Sequence, residues 1–533
     1  MKEGFRQAMA WLHTWAGLIF GWLLFAIFLT GTLSYFKDEI THWMQPEVQA
    51  YPLDDARSLA AAQTYLQQQA PNAARWFITL PDSRDPGLSV MWQDKVDPGK
   101  RGNFIQKVLD PVTRQPVQAR ESMGGEFFYR FHFQLQMPYP WGRWLSTIAA
   151  MVMFVALITG IITHKKIFKD FFTFRPRKGQ RSWLDGHNAL GVLILPFHLM
   201  ITYSSLVIFM SMVMPVSILT SYGKDTQAFF NDLFPAANAA KAAGSPATLA
   251  PLRPMLAVAG EQWQGGRVGR LVVNNPGDAN ASVSFYRHGG DRVVHTPGTG
   301  LLFNGVTGEL ESESALHAAP LVIAGSFYGL HMGHFAGPLL RWLYFLCGIG
   351  GTAMIGTGLV MWLKKRSLKH AQTGVLPFEL KLVQVLNIAS MSGLMIAVAS
   401  FFWANRLLST GFAERSGWEV NVFFISWGVT LLHALVRPGR SAWREQLGLG
   451  SLLFVGIPVI NALTSDYGLT VSIPQGDWAM AGVDLTSLAV GVFLGWAALK
   501  TFVGVGLPAI AVGQTKRVKP IAGKPAPTAH EVH

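Results

Sequence analysis

The sequence predicts an all-α polytopic membrane protein of about eight transmembrane helices, with a four-helix core made from two repeated hairpins and two small α+β inserts on one side of the bilayer. Three observations carry this. Half of the 533 residues are hydrophobic and only 14% are charged, and several uninterrupted apolar runs are long enough to cross a membrane. Lysine and arginine gather in short loops beside those runs, as they do on the cytoplasmic side of inner-membrane proteins. Two stretches are also copies of one pattern: His132, Arg143-Trp144-Leu145, Thr159-Gly160, Lys165-Lys166, and then His331, Arg341-Trp342-Leu343, Thr357-Gly358, Lys364-Lys365. The segments ahead of the copies correspond too, with His13 four residues before Gly17 and His187 four before Gly191.

The first span covers 8–36. It exceeds a signal-peptide core and lacks a small-x-small cleavage site, so it is expected to remain as an anchor. A polar insert follows over 37–140, then a second span over 141–164. The loop 165–185 carries Lys165, Lys166, Lys169, Arg175, Arg177, Lys178 and Arg181, a cytoplasmic signature. The third span covers 186–218, the second insert 219–336 and the fourth span 337–363, ending in Lys364, Lys365 and Arg366. Four additional helices fill 380–503, near 380–403, 420–436, 447–463 and 485–503. The tail 504–533 reads as disordered. This arrangement puts both termini in the cytoplasm and both inserts outside, in the periplasm of a bacterial inner-membrane protein. The net charge of +13 follows from the topology and does not point to nucleic acid. Within the inserts, 75–79, 89–92, 267–273, 282–286 and 292–294 have strand character, and 56–69 and 250–264 read as amphipathic helices.

A histidine within a span is costly unless it has a partner. His13 and His187 lie near the cytoplasmic start of odd-numbered spans, and His132 and His331 lie just outside even-numbered spans on the other side. A pseudo-two-fold axis along the membrane normal sets each equivalent pair face to face, giving two bis-histidine sites in the helical core. Two low-spin b hemes fit such ligands. Cys347 is the only cysteine, which excludes covalent heme through C-x-x-C-H and a cysteine-ligated cluster within one chain. Zinc is a weaker match, because no carboxylate or thiolate accompanies the histidines.

Three more histidines break the symmetry. His198 lies eleven residues after His187, roughly 16 Å along a straight helix and within about 20° of the same face, so one helix is able to serve two stacked hemes. Its repeat-equivalent is Leu24; His164 corresponds to Trp362 and His334 to Leu135. All three remain cofactor candidates, whereas His288, His295 and His317 read as surface residues. Arg143 and Arg341 suit either lipid phosphate or a heme propionate. Glu414 and Glu419 read as an outer loop without a role.

These residues resemble the PepSY-associated transmembrane family over about 8–366. The matching motifs are Trp11-Leu12-His13-Thr14-Trp15-Ala16-Gly17-Leu18, Phe131-His132-Phe133-Gln134-Leu135, Asp185-Gly186-His187-Asn188-Ala189-Leu190-Gly191 and Leu330-His331-Met332-Gly333-His334, with Thr30-Gly31, Thr159-Gly160 and Thr357-Gly358 in the spans. Some members are iron-uptake proteins, including inner-membrane ferrisiderophore reductases that carry b-type hemes. The resemblance implies PepSY-like inserts, the four motif histidines as heme ligands, and a ferric siderophore or other ferric chelate as electron acceptor. It leaves the donor open between quinol and a cytoplasmic reductase, since no flavin or nicotinamide fingerprint is present. A non-redox PepSY sensor or peptide-binding protein, and a metal transporter, are the rival expectations.

Overall fold

The computed structural model describes residues 4–503 apart from 96–101, 165–174, 176–177, 236–237, 239, 296–297, 315–317 and 371–374. Much of the basic loop (165–174 and 176–177), His317 and the tail 504–533 therefore lie outside the described residues. The first repeat contributes α1 (Phe5–Ser34), α2 (Lys37–Met44), α3 (Asp55–Gln69), α4 (Glu126–Gln134) and α5 (Trp141–Thr163). The second contributes α6 (Gln180–Leu193), α7 (Leu195–Ile208), α8 (Leu252–Gln262), α9 (Ala319–Met332) and α10 (Pro338–Ser367). Four more long helices follow, α11 (Phe378–Leu407), α12 (Arg415–Val436), α13 (Arg440–Thr464) and α14 (Trp478–Val503).

Seven of these helices are long and apolar enough to span a membrane: α1, α5, α10, α11, α12, α13 and α14. The third span, expected as one continuous helix, is instead the pair α6 and α7, bent by 67°. Pro196, in the first turn of α7, is the cause: proline lacks an N–H, and its ring clashes with the carbonyl four residues back. The straight-helix geometry relating His187 to His198 is thereby lost. The short helices α4 and α9 fold back from the insert side, α4 against α1 and α9 against α7. Left-handed residues reverse the chain after each, Leu135 and Gln136 in the first repeat and Gly333 in the second.

Each insert is α+β, and the two share one sheet. Seven antiparallel strands run in the order β3 (Phe104–Leu109), β2 (Leu88–Gln93), β1 (Arg75–Thr79), β4 (Val268–Asn274), β5 (Ser282–Arg287), β6 (Gly300–Asn304), β7 (Leu310–Ser314). β1 of the first insert pairs with β4 of the second, with Phe77 opposite Val272. The alternation of β2 between buried and half-buried residues sends Leu88, Val90 and Trp92 into the core, where Leu59 and Leu66 of α3 and Leu252 and Met255 of α8 cover them together with Val273 and Phe285. Gln63 joins the two inserts: its amide donates to the Ala250 carbonyl, and its oxygen accepts the Leu252 N–H. Residues 292–294, expected as a strand, form a bend, whereas β3, β6 and β7 were not anticipated.

An ion-pair cluster ties the sheet to the helix ends. Arg84 bonds Glu39 in a bidentate pair (2.9 and 2.8 Å), reaches Asp38 at 2.9 Å and donates to the Tyr35 carbonyl. Glu39 also accepts from Arg341 of α10 at 2.9 Å. His288 meets Asp82 at 2.9 Å and so links the inserts, which makes it more than a surface residue. In the same loop, burial and the neighbouring Asp38 charge push the Asp85 carboxyl up to about 6. The native state therefore holds the Asp85 proton more tightly than the unfolded chain does. Stability is unaffected by this group below about pH 4 and falls as pH rises through 6. Asp85→Asn is expected to raise thermal stability at pH 8 by on the order of 2 kcal/mol, with the gain vanishing at pH 4. Melting curves of both proteins across that range check it, and an equal gain at every pH would refute the titration.

The C-terminal helices pack against α1 and the first insert. Trp22 Nε1 donates to Asn387 Oδ1 at 2.8 Å. α11 carries a π-helical turn at Ala389–Gly393, and a Cβ at Gly393 would stand 2.3 Å from the Thr430 hydroxyl. At the insert end, Trp43 and Met44 of α2 are wholly buried, and Trp43 Nε1 donates to Asp484 Oδ1 at 2.8 Å. Glu419 is not in a loop: it lies inside α12, fully buried, and pairs with Arg415 at 2.6 Å. It also accepts from Asn405 Nδ2 at 2.7 Å and Ser122 Oγ at 2.8 Å.

Candidate cofactor site

Four of the seven candidate histidines come together in two pairs. His13 on α1 faces His187 on α6, and His132 on α4 faces His331 on α9. In both pairs the ring centres stand 6.2 Å apart. Each ring is held from behind through Nδ1, always within its own repeat. The Nδ1–H of His13 donates to the Ala156 carbonyl of α5 at 2.8 Å, that of His132 to the Ile27 carbonyl of α1 at 2.8 Å, and that of His187 to the Met354 carbonyl of α10 at 2.9 Å. The Nδ1–H of His331 donates to Ser204 Oγ on α7 at 2.8 Å, and this hydroxyl donates onward to the Ile201 carbonyl. An imidazole that donates through Nδ1 keeps a bare lone pair on Nε2. Among the described residues, none of the four Nε2 atoms has a hydrogen-bonding protein group.

The Thr-Gly steps in the helices acquire a physical meaning here. Ile27, Ala156 and Met354 each lie three residues before the threonine of such a step, and Thr30, Thr159 and Thr357 bend back to those same carbonyls at 3.3, 3.1 and 2.8 Å. The following glycine makes room for the ring. A Cβ at Gly31 would stand 2.5 Å from His132 Nδ1, and one at Gly160 or Gly358 would stand 3.2 Å from Cε1 of His13 or His187. At the fourth place the repeat-equivalents of Thr30 and Gly31 are Ser204 and Ser205, and Ser204 itself takes the His331 proton. The Thr-Gly steps are visible in the sequence, but their role as ring supports is not. Their recurrence near every paired histidine but one was the available signal.

The spacing suits one metal atom between each pair. Metal–imidazole bonds of about 2.0–2.1 Å, with each nitrogen about 1.1 Å from its ring centre, would allow two rings sharing one metal to stand up to about 6.3 Å apart. Among the described residues no group of three or more His, Cys, Asp or Glu side chains is placed to hold a metal ion, so two nitrogens per site are what the chain offers. A planar group would have to supply the rest. The surroundings leave space for one: a cavity of about 300 Å³ adjoins His132 and His331, walled by Leu24, Phe28, Met153 and Phe197, with Lys37, Tyr129 and Arg143 among its polar lining. Beside the other pair, a Cβ at Gly17, one turn beyond His13, would meet nothing within 4 Å.

Among the described residues, the remaining candidates show no ring contact with another histidine. His164 caps α5 and accepts from Asn188 Nδ2 at 3.0 Å. His334 lines the cavity beside His331 and lies against Gly289. His198 is fully buried against Phe28 and Phe197. Of the two span-starting arginines, Arg143 lines the cavity, its Nε donating to Gln134 Oε1 at 3.1 Å. Arg341 turns to Glu39 and the Ala336 carbonyl instead.

Comparison with known proteins agrees with the layout. The family model described as the PepSY-associated TM region matches residues 10–365. An uncharacterized protein of Pseudomonas aeruginosa is 24% identical over 394 residues, covering 69% of this chain and 93% of the relative.

Proposed function

Because the chain belongs to the PepSY-associated TM family, and the matched region contains both histidine pairs, we propose that it is a di-heme b-type electron-transfer protein of a bacterial inner membrane. It would carry electrons from a quinol or a cytoplasmic reductase to a ferric siderophore or other ferric chelate in the periplasm. The observation that carries this is the pair geometry: two sets of imidazoles 6.2 Å apart, each with Nδ1 anchored and Nε2 bare. In this reading both termini are cytoplasmic and the shared sheet faces the periplasm.

His13 and His187 would hold the inner heme, and His132 and His331 the outer one. When bound, b heme supplies a one-electron couple whose potential depends on its ligands and surroundings. The chain does the rest. Backbone carbonyls behind the rings fix their orientation and raise their basicity. Apolar walls lower the local dielectric. Arg143 lines the outer cavity as a cation suited to carboxylates, beside Lys37, which is already paired with Asp38 at 3.0 Å. No acid–base residue is needed, because the cofactor carries the chemistry.

A test is to purify the protein in detergent after expression with ample heme supply, then count heme by pyridine hemochrome. About two low-spin hemes per chain are expected, and the reduced protein should be reoxidised by ferric chelates. A colourless protein refutes the proposal. The glycines give a graded check. Gly31→Ala should expel the His132 ring and lose the outer heme, whereas Gly358→Ala, with 3.2 Å of room, should retain the inner heme with a perturbed spectrum. Equal spectra in the two variants would count against the ring-support role.

A further inference from the structure

His198 is a fully buried histidine with neither ring nitrogen bonded to a protein group among the described residues, and Thr202 Oγ1 is buried in the same condition. The two are four residues apart, so they share one face of α7. Phe28 and Phe197 flank the imidazole, each 6.3 Å away by ring centres. Gly351 lets the α10 backbone approach so closely that a Cβ there would stand 3.0 Å from His198 Nε2. Three residues along α10 from Gly351, the Met354 carbonyl holds His187; two residues past Thr202, Ser204 holds His331. The polar face therefore lies between the two pairs. It is unique to the second repeat, since Leu24 stands at the equivalent place in the first.

Buried polar atoms without partners are costly. A neutral imidazole needs a donor on one side and an acceptor on the other. A water molecule supplies both and needs two to four polar partners of its own. Thr202, Phe28 and Phe197 line the outer cavity, which gives water a route in. We propose that His198 and Thr202 form a binding site for ordered water between the two histidine pairs, and that His198 acts as a positioning residue on the electron path rather than as an iron ligand. The water site stands on the orphaned atoms alone; its place on an electron path rests on the heme reading.

The experiment is a cryo-electron microscopy map of the full-length protein in lipid nanodiscs, at a resolution that shows waters, beside potentiometric titrations of wild type, His198→Leu and His198→Gln. The expected map has a water peak within hydrogen-bond distance of His198 and Thr202. His198→Leu should keep the heme count and low-spin spectrum but shift one midpoint potential upward, because the charged ferric state loses orientable dipoles that solvate it. His198→Gln should restore part of the shift. A dry His198–Thr202 face, or iron density on His198, overturns the site; unchanged potentials in His198→Leu overturn its role on the path. Water without heme would sink the heme reading and leave the site standing. If His198→Leu fails to fold, the wild-type map still decides the site.

Discussion

On the di-heme proposal, replacing His187 by alanine is expected to lower the heme count from about two to about one per chain and to abolish electron flow from the side of the inner pair, while the other heme stays low-spin. His13 alone cannot complete a six-coordinate site, and His132 and His331 are held by the Ile27 carbonyl and Ser204 rather than by either inner histidine. Free imidazole added to the variant should refill the position and recover part of the lost absorbance. His164→Ala and His334→Ala serve as controls and should retain both hemes, since both residues lie outside the two facing pairs. A variant lacking His187 that still binds both hemes would overturn the pairing.

Arg415→Ala should have the largest effect on stability. Its guanidinium is fully buried against Glu419 and donates to the Glu121 and Asn405 carbonyls. Removing it leaves a buried carboxylate uncompensated, at a cost of about 3–5 kcal/mol. The loss should appear as a lower melting temperature and as faster proteolysis of the 45–122 region, which is held through Ser122 and through Arg120 paired with Glu47 at 2.7 Å. The double variant Arg415→Met with Glu419→Leu should recover most of the loss, because apolar residues of similar volume commonly replace a buried ion pair without penalty. A single variant as stable as wild type would show that the pair does not hold the insert to the C-terminal helices.

Much of the helical framework was legible because a span is a local property: length and apolar composition suffice, and they located α1, α5, α10 and the four later helices. The facing histidines followed from the repeat, since symmetry relates positions that local pattern cannot. The third span was misjudged because hydropathy is blind to a bend, although Pro196 marked the place. Strand pairing was the least legible part. β3 is exposed along most of its length, and β7, Leu-Glu-Ser-Glu-Ser, carries two carboxylates, so neither shows buried alternation; both are recruited by neighbours already in the sheet. Nothing local to β1 or β4 announces that each is the other's partner. Glu419 was misplaced because Glu414, Arg415, Ser416 and Gly417 look like solvated loop, whereas Arg415 is buried by the insert lying over it.

The strand order carries a consequence of its own. Read outward from the β1–β4 junction, three strands follow in matching succession on each side, β1-β2-β3 from the first insert and β4-β5-β6 from the second, which adds β7 at its edge. An antiparallel pair of equivalent strands is self-complementary, the hallmark of an isologous contact between identical subunits. Each repeat would thus present the edge that the other completes, and the same rotation would bring the imidazoles together. The repeated region has the form of a homodimer whose two subunits are joined end to end, with His198 in one half where the other carries Leu24.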